Sequence, residues 1–177
     1  MAENKRRGNS LIGAAGVHYA ACKLTLQGML ALPTVRNTPG TDLIVTSRDG
    51  RKHANIQVKT SQYNRAKFWI ICSAKKFEER KDILSDNDYF LLLRPHRADD
   101  LEAEHDSGEI NEFEGFMLNA QEANRELQAH LDYWKGQGRE PKFSLCIYVD
   151  KGVREQNWNL PPDSKENWRR QWQDFDI

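Results

Sequence analysis

Residues 42–60, DLIVTSRDGRKHANIQVKT, decide the fold. Two runs of alternating apolar character, Asp42 to Thr46 and His53 to Thr60, flank a turn sequence centred on Asp49-Gly50. An Asp-Gly pair between such runs is a strong hairpin signal, because glycine enters the left-handed region without a steric penalty. A two-residue turn sets Arg48 opposite Arg51 and carries the register back to Asp42 opposite Gln57. Alternation with period two then places Asn55, Gln57 and Lys59 on the Asp42 face, while Ile56 and Val58 point into a core. Lys59 lies one diagonal step from Asp42. Directly opposed Cβ atoms are about 5 Å apart, so one hydrated cation could touch both Asp42 and Gln57.

Working outward, Asn9 or Ser10 is placed to cap a helix near 10–27 whose apolar face is Val17, Ala20, Ala21 and Leu24, with Gly28 as its stop. Met29 to Val35 reads as extended, and Asn37-Thr38-Pro39-Gly40 punctuates the chain before the hairpin. Beyond it, Lys67 to Cys72 reads as a buried strand and Lys75 to Leu84 as a charged helix. Tyr89 to Leu93 and Phe113 to Leu118 read as strands, with the acidic stretch 99–114 mostly a solvated loop between them. Ala120 to Trp134 is a helix and Phe143 to Val149 a strand. This order predicts an α/β fold in which a mixed central sheet is flanked by helices, and it suits a purely parallel doubly wound sheet poorly.

The chain of 177 residues is sized for a single domain over 1–177, with its core at about 9–150 and a C-terminal segment, 151–177, carrying Trp158, Trp168 and Trp172. Those tryptophans suit packing onto the body or an oligomer contact, which leaves a homodimer open. No window is apolar enough for a membrane span, and the polar, basic N-terminus is not followed by a signal-peptide core, so no membrane partner and a cytoplasmic location are expected. Cys22, Cys72 and Cys146 are odd in number and far apart, which argues against a disulfide framework or zinc ribbon and for buried thiols.

The formal net charge of zero divides unevenly: residues 1–81 carry 15 Lys/Arg against 5 Asp/Glu, and residues 82–177 carry 11 against 21. A basic half of this kind suits a phosphate backbone. The competing reading is two solvated faces that neutralise each other on folding.

Asp42, Gln57 and Lys59 are the groups that phosphodiester hydrolysis calls for. Asp42 would ligate a hard divalent ion, Gln57 would add its amide oxygen and Val58 its carbonyl. Such an ion acidifies water and holds a phosphate oxygen, while Lys59 would position or deprotonate the attacking water and offset the growing charge. Other chemistries lack their motifs, since the chain has no Gly-rich phosphate loop ending in Lys-Ser/Thr, no His-Glu-x-x-His and no Gly-x-Ser-x-Gly.

Gly40-Thr41-Asp42 followed by Gln57-Val58-Lys59 resembles the Asp…Glu/Gln-x-Lys core of the PD-(D/E)XK nuclease superfamily, which includes restriction enzymes and Holliday-junction resolvases. Gly13-x-x-Gly16 in a helix ending at Gly28 is similar to the first helix of that superfamily's small members, and the resemblance spans roughly 9–130. It implies a restriction-endonuclease-like fold, magnesium or manganese as cofactor, and metal-dependent cleavage of nucleic acid, DNA first. Two departures stand out. Gln57 occupies a position commonly Glu, which keeps an oxygen but loses a charge. Val17 and His18 stand where many members carry an acid, so His18 is the candidate replacement as a water-mediated ligand or base. Backbone phosphates would be met by Arg36, Arg51, Lys52, Arg65 and Lys67, with Arg6 and Arg7 nearby in the same basic half. The alternative is a catalytically weakened or inactive module on the same fold that binds nucleic acid or a protein partner. In that version the acidic stretch 99–114 engages a basic surface. Tyr63, Phe68 and Trp69 could stack on bases, although Phe68 and Trp69 fit a core better.

Overall fold

The computed structural model describes residues 2–35, 40–62, 68–80, 85–96, 112–140, 142 and 144–148. Helix α1 (Ala2–Leu26) is followed by β1 (Leu30–Pro33), β2 (Leu43–Thr46), β3 (His53–Thr60), β4 (Phe68–Ser73), α2 (Ala74–Arg80), β5 (Asp88–His96), β6 (Glu112–Asn119), α3 (Ala120–Gly136) and β7 (Ser144–Tyr148). The fold is α/β, with a five-stranded sheet in the order β1-β2-β3-β5-β6. Only the β3–β5 pair in it is parallel, so the sheet is mixed. Strands β4 and β7 form a separate antiparallel pair. No helix among the described residues is long and apolar enough to cross a membrane.

Two cores sit on the two faces of the central sheet. Ala20 and Leu24 of α1 pack with Leu43, Val45, Ile56, Leu91 and Leu93 on one face. Leu127 and Leu131 of α3 pack with Phe90, Leu92, Leu118 and the β4–β7 pair on the other. β5 supplies both: Leu91 and Leu93 face α1, while Phe90 and Leu92 face α3, which is why its sequence is a continuous apolar run.

Helix α1 begins at Ala2, so neither Asn9 nor Ser10 caps it. Residues 2–7 include Ala, Glu, Lys and two Arg, all good helix formers, and they carry the helix through Gly8. It ends as expected: Gly28 adopts φ +92° and the Met29 N–H donates back to the Leu24 carbonyl at 3.2 Å. Helix α3 starts on a capping box in which Asn119 accepts from the Glu122 N–H and the Glu122 carboxylate accepts from the Asn119 N–H.

The hairpin register is the expected one, with Thr46 opposite His53 and Leu43 opposite Ile56. The turn differs. The Ser47 N–H donates to the Lys52 carbonyl at 3.0 Å and the Gly50 N–H to the Ser47 carbonyl at 2.9 Å, so the chain reverses over residues 48–51 and not over Asp49-Gly50 alone. Asp49 stabilises this wider loop by accepting from the Ser47 hydroxyl at 2.7 Å and the Arg51 N–H at 3.1 Å.

Two burial expectations are corrected. Phe68 and Ile70 are 48% and 58% exposed while Trp69 and Ile71 are buried, because β4 lies outside the central sheet and packs one face only. Trp69 is thus core and Phe68 is not. Of the thiols only Cys146 is buried; Cys72 is half-buried and Cys22 exposed. Cys22 lies two residues from both Ala20 and Leu24, roughly 200° around α1 from the buried stripe. The acidic residues 99–111 and the tryptophans of 151–177 lie outside the described residues. Glu114 belongs to β6, where its carboxylate meets Arg94 at 2.6 Å.

Candidate functional site

The site is built at the end of β2. Leu43 faces Ile56 in the ladder, and the Asp42 N–H also donates to the Ile56 carbonyl at 2.9 Å. Two residues therefore oppose one, the count of a β-bulge, which bends the strand and re-aims a side chain. Asp42 is accordingly not paired with Gln57. Its carboxylate Oδ2 instead accepts the Val58 backbone N–H at 2.8 Å, in the place the next carbonyl of β2 would have taken. The strand stays fixed on its other edge: the Thr34 N–H donates to the Asp42 carbonyl at 2.9 Å and the Thr34 hydroxyl to the Thr41 carbonyl at 2.7 Å.

This bulge opens a cleft of about 620 Å³ between α1 and the ends of the first strands, lined by Gly13, Val17 and His18 from the helix and by Thr34, Asp42 and Val58 from the sheet. Asp42 and Val58 are thus brought together with His18, which is exposed on α1. The helix comes close because Gly16 has no side chain. A Cβ there would lie 1.9 Å from the Thr60 hydroxyl oxygen.

Lys59 and Gln57 occupy the other alternation of β3, beside Leu92 and Phe90 of β5. Both are half-buried. Burial pushes the Lys59 ammonium below the ordinary lysine pKa; the Asp42 carboxylate opposes that shift and Lys76 of α2 reinforces it. Asp42 and Lys59 are thus electrostatic partners. Gln57 shares the Lys59 face. A strand residue sends its N–H and C=O to the same edge, so the Val58 carbonyl faces the gap that Asp42 fills from the β2 side.

Sequence reasoning missed three contributors. Lys76 adds a second ammonium to the surroundings of Lys59, and Cys72 adds a thiol. Thr34 braces the approach to Asp42. Nothing local marks these residues, because their roles arise from α2 and β4 coming near Lys59 and from β1 pairing with β2. Of the expected phosphate contacts, Arg51 and Lys52 are exposed on the hairpin loop, while Arg36, Arg65 and Lys67 lie outside the described residues.

The donor set is spare. Among the described residues no group of three or more His, Cys, Asp or Glu gathers where a metal ion could sit. One carboxylate and one carbonyl, with the Gln57 amide on the other face of β3, suit a hard cation that keeps several waters, as magnesium does, and suit zinc poorly. No family model matches the chain, and comparison with curated proteins and with solved structures finds no match.

Proposed function

We propose that the chain is a restriction-endonuclease-like, metal-dependent phosphodiesterase acting on nucleic acid, DNA first. The observation that carries this reading is the bulge at Asp42, which aims an anchored carboxylate into a cleft on the α1 face, while the half-buried Lys59 on the other face of β3 still feels its charge. Asp42 through its second oxygen and Val58 through its carbonyl would hold magnesium or manganese, with waters completing the shell, because Gln57 lies on the opposite face of β3. When bound, the ion supplies an acidified water and an electrophilic contact to the phosphate. Lys59, its pKa lowered by desolvation, offers a cation to the developing charge or, deprotonated, a base for the water. His18 on the far wall of the cleft is the second candidate for proton transfer.

Purified protein with magnesium or manganese is expected to nick plasmid or branched DNA, and Lys59→Ala and Asp42→Asn are each expected to abolish nicking. Equal trace activity in all three proteins would remove the enzymatic reading.

A second reading, a catalytically weakened module that binds nucleic acid or a protein, is favoured by the neutral Gln57 and by the single carboxylate at the site. Calorimetric titration of magnesium and manganese into wild type and Asp42→Ala separates the two. Heat in the wild type that the variant lacks supports the enzyme; no heat in either, alongside salt-sensitive DNA binding, supports the module.

A further inference from the structure

We propose that the β2–β3 loop is a preorganised phosphate anchor which, together with the Asp42 cleft about 20 Å away, grips a double-stranded nucleic acid at two points on its backbone. This rests on the nucleic-acid reading above and adds the form of the substrate and a second site.

Hydrogen bonds fix the backbone of the loop that carries these charges. Asp49 accepts from the Ser47 hydroxyl at 2.7 Å and from the Arg51 N–H at 3.1 Å, the Lys52 N–H donates to the Ser47 hydroxyl at 3.0 Å, and Gly50 takes φ +71°. Those hydrogen bonds hold the Asp49 carboxyl below its usual range. Arg48, Arg51 and Lys52 are all exposed, and the carboxylate of Asp49 meets Arg51 at 3.6 Å and feels the charge of Lys52. The nearby acids at the start of β5 are already engaged: Asp88 accepts from Asn55 and the Ser85 N–H, and Asp86 accepts from Gln121. With the backbone fixed in advance, only side-chain freedom is lost on meeting a phosphate. Behind the loop a cleft of about 380 Å³, lined by Thr25, Gly28, Thr46, Ser47, Arg48 and Gly50, has room for a phosphate and its sugar.

Two rulers give the spacing. From Asp42 to Arg48 is six strand residues, about 20 Å. From Ser10, in the first cleft, to Thr25, in the second, is fifteen helical residues, about 22 Å. Along the axis of a duplex this corresponds to about six base pairs. Among the described residues neither cleft has Phe, Tyr or Trp in its lining, and His18 is the one aromatic ring there. A single strand would call for such stacking platforms, whereas a rigid duplex meets two fixed phosphate contacts without them.

The test is fluorescence anisotropy in calcium, standing in for magnesium or manganese so that the Asp42 cleft keeps a cation for the phosphate, with labelled duplexes of four to twenty base pairs, comparing wild type with the triple variant Arg48→Ala/Arg51→Ala/Lys52→Ala. The variant is expected to bind a twenty-base-pair duplex at least tenfold more weakly, with a log K against log salt slope shallower by about 2–3. That difference is expected to vanish for duplexes too short to span both points. Arg48→Lys/Arg51→Lys is expected to keep most of the affinity. Wild-type-like affinity and slope in the triple variant would overturn the anchor and leave the nucleic-acid reading standing. Tighter binding of a single strand than of the duplex would overturn the assigned substrate. Absence of any wild-type binding at low salt would remove both.

Discussion

Gly16 of α1 faces Thr60 of β3 so closely that a methyl group on Gly16 would lie 1.9 Å from the threonine hydroxyl oxygen and 3.0 Å from its Cβ. This contact sets how near the helix carrying His18 lies to the strand carrying Val58 and Lys59. Gly16→Ala gains about 1 kcal/mol of helix propensity but overpacks the contact at a cost of roughly 1–3 kcal/mol. A net loss of about 1 kcal/mol is expected in urea unfolding. Because the Cβ of Thr60 also crowds the site, Thr60→Ala should relieve only part of it. Equal losses in the Thr60→Ala background and the wild type would show that this contact is not the cause.

The Asp42 carboxylate does structural as well as chemical duty, since it satisfies the Val58 N–H at 2.8 Å. Asp42→Ala leaves that donor without its acceptor beside the sheet, a loss of about 1–3 kcal/mol. Asp42→Asn keeps an acceptor oxygen and should cost under about 1 kcal/mol by the same reasoning. Both are expected to lose stabilisation by added magnesium or manganese. The comparison of urea midpoints with and without metal separates the roles: if Asn and Ala are equally destabilising without metal, the hydrogen bond contributes nothing to the fold.

Lys59 carries a charge where burial opposes it, and no structural hydrogen bond offsets that among the described residues. Groups held against stability in this way are found at functional positions. Lys59→Met keeps the stem and removes the ammonium, so a stability gain of about 1 kcal/mol is expected together with loss of nicking. A lower thermal midpoint than the wild type would instead make Lys59 a structural partner of Asp42.

The hairpin and its register were legible because glycine at 50 and the alternation of 53–60 are local signals, and β3 keeps those bounds. The helix stop at Gly28 was legible for the same reason. The aim of Asp42 was not. Alternation alone puts it on the face of Gln57, and only the Ile56 carbonyl, by accepting from both sides of a bulge, turns it toward α1. The position of β4 was equally hidden. Lys67 to Cys72 reads as a buried strand, yet β3 takes β5 as its parallel neighbour and leaves β4 to pair with β7. Gly16 showed in the sequence as one of two spaced glycines, but its partner Thr60 is 44 positions away and could be found only once the helix was laid on the sheet.

His130, buried on α3, ties that helix to β7 and predicts a pH dependence. The Cys146 N–H donates to its Nδ1 at 3.0 Å, and the Trp134 indole N–H faces its Nε2 at 2.6 Å. A neutral imidazole has one in-plane lone pair for these donors; the protonated ring has none and would also bring a charge into the core. Burial accordingly lowers its pKa from 6.5 to about 4. The unfolded chain takes up the proton at the higher pH. Stability from this group is therefore complete above about pH 6.5 and is lost as pH falls toward 4, at about 1.4 kcal/mol per unit and roughly 3 kcal/mol in all. Urea midpoints at pH 7.5, 5.5 and 4.5 should show this slope in the wild type. His130→Gln, whose amide oxygen still accepts but does not titrate, should lower stability at pH 7.5 and flatten the decline below it. Parallel declines in the two proteins would assign the acid sensitivity to carboxylates elsewhere in the chain.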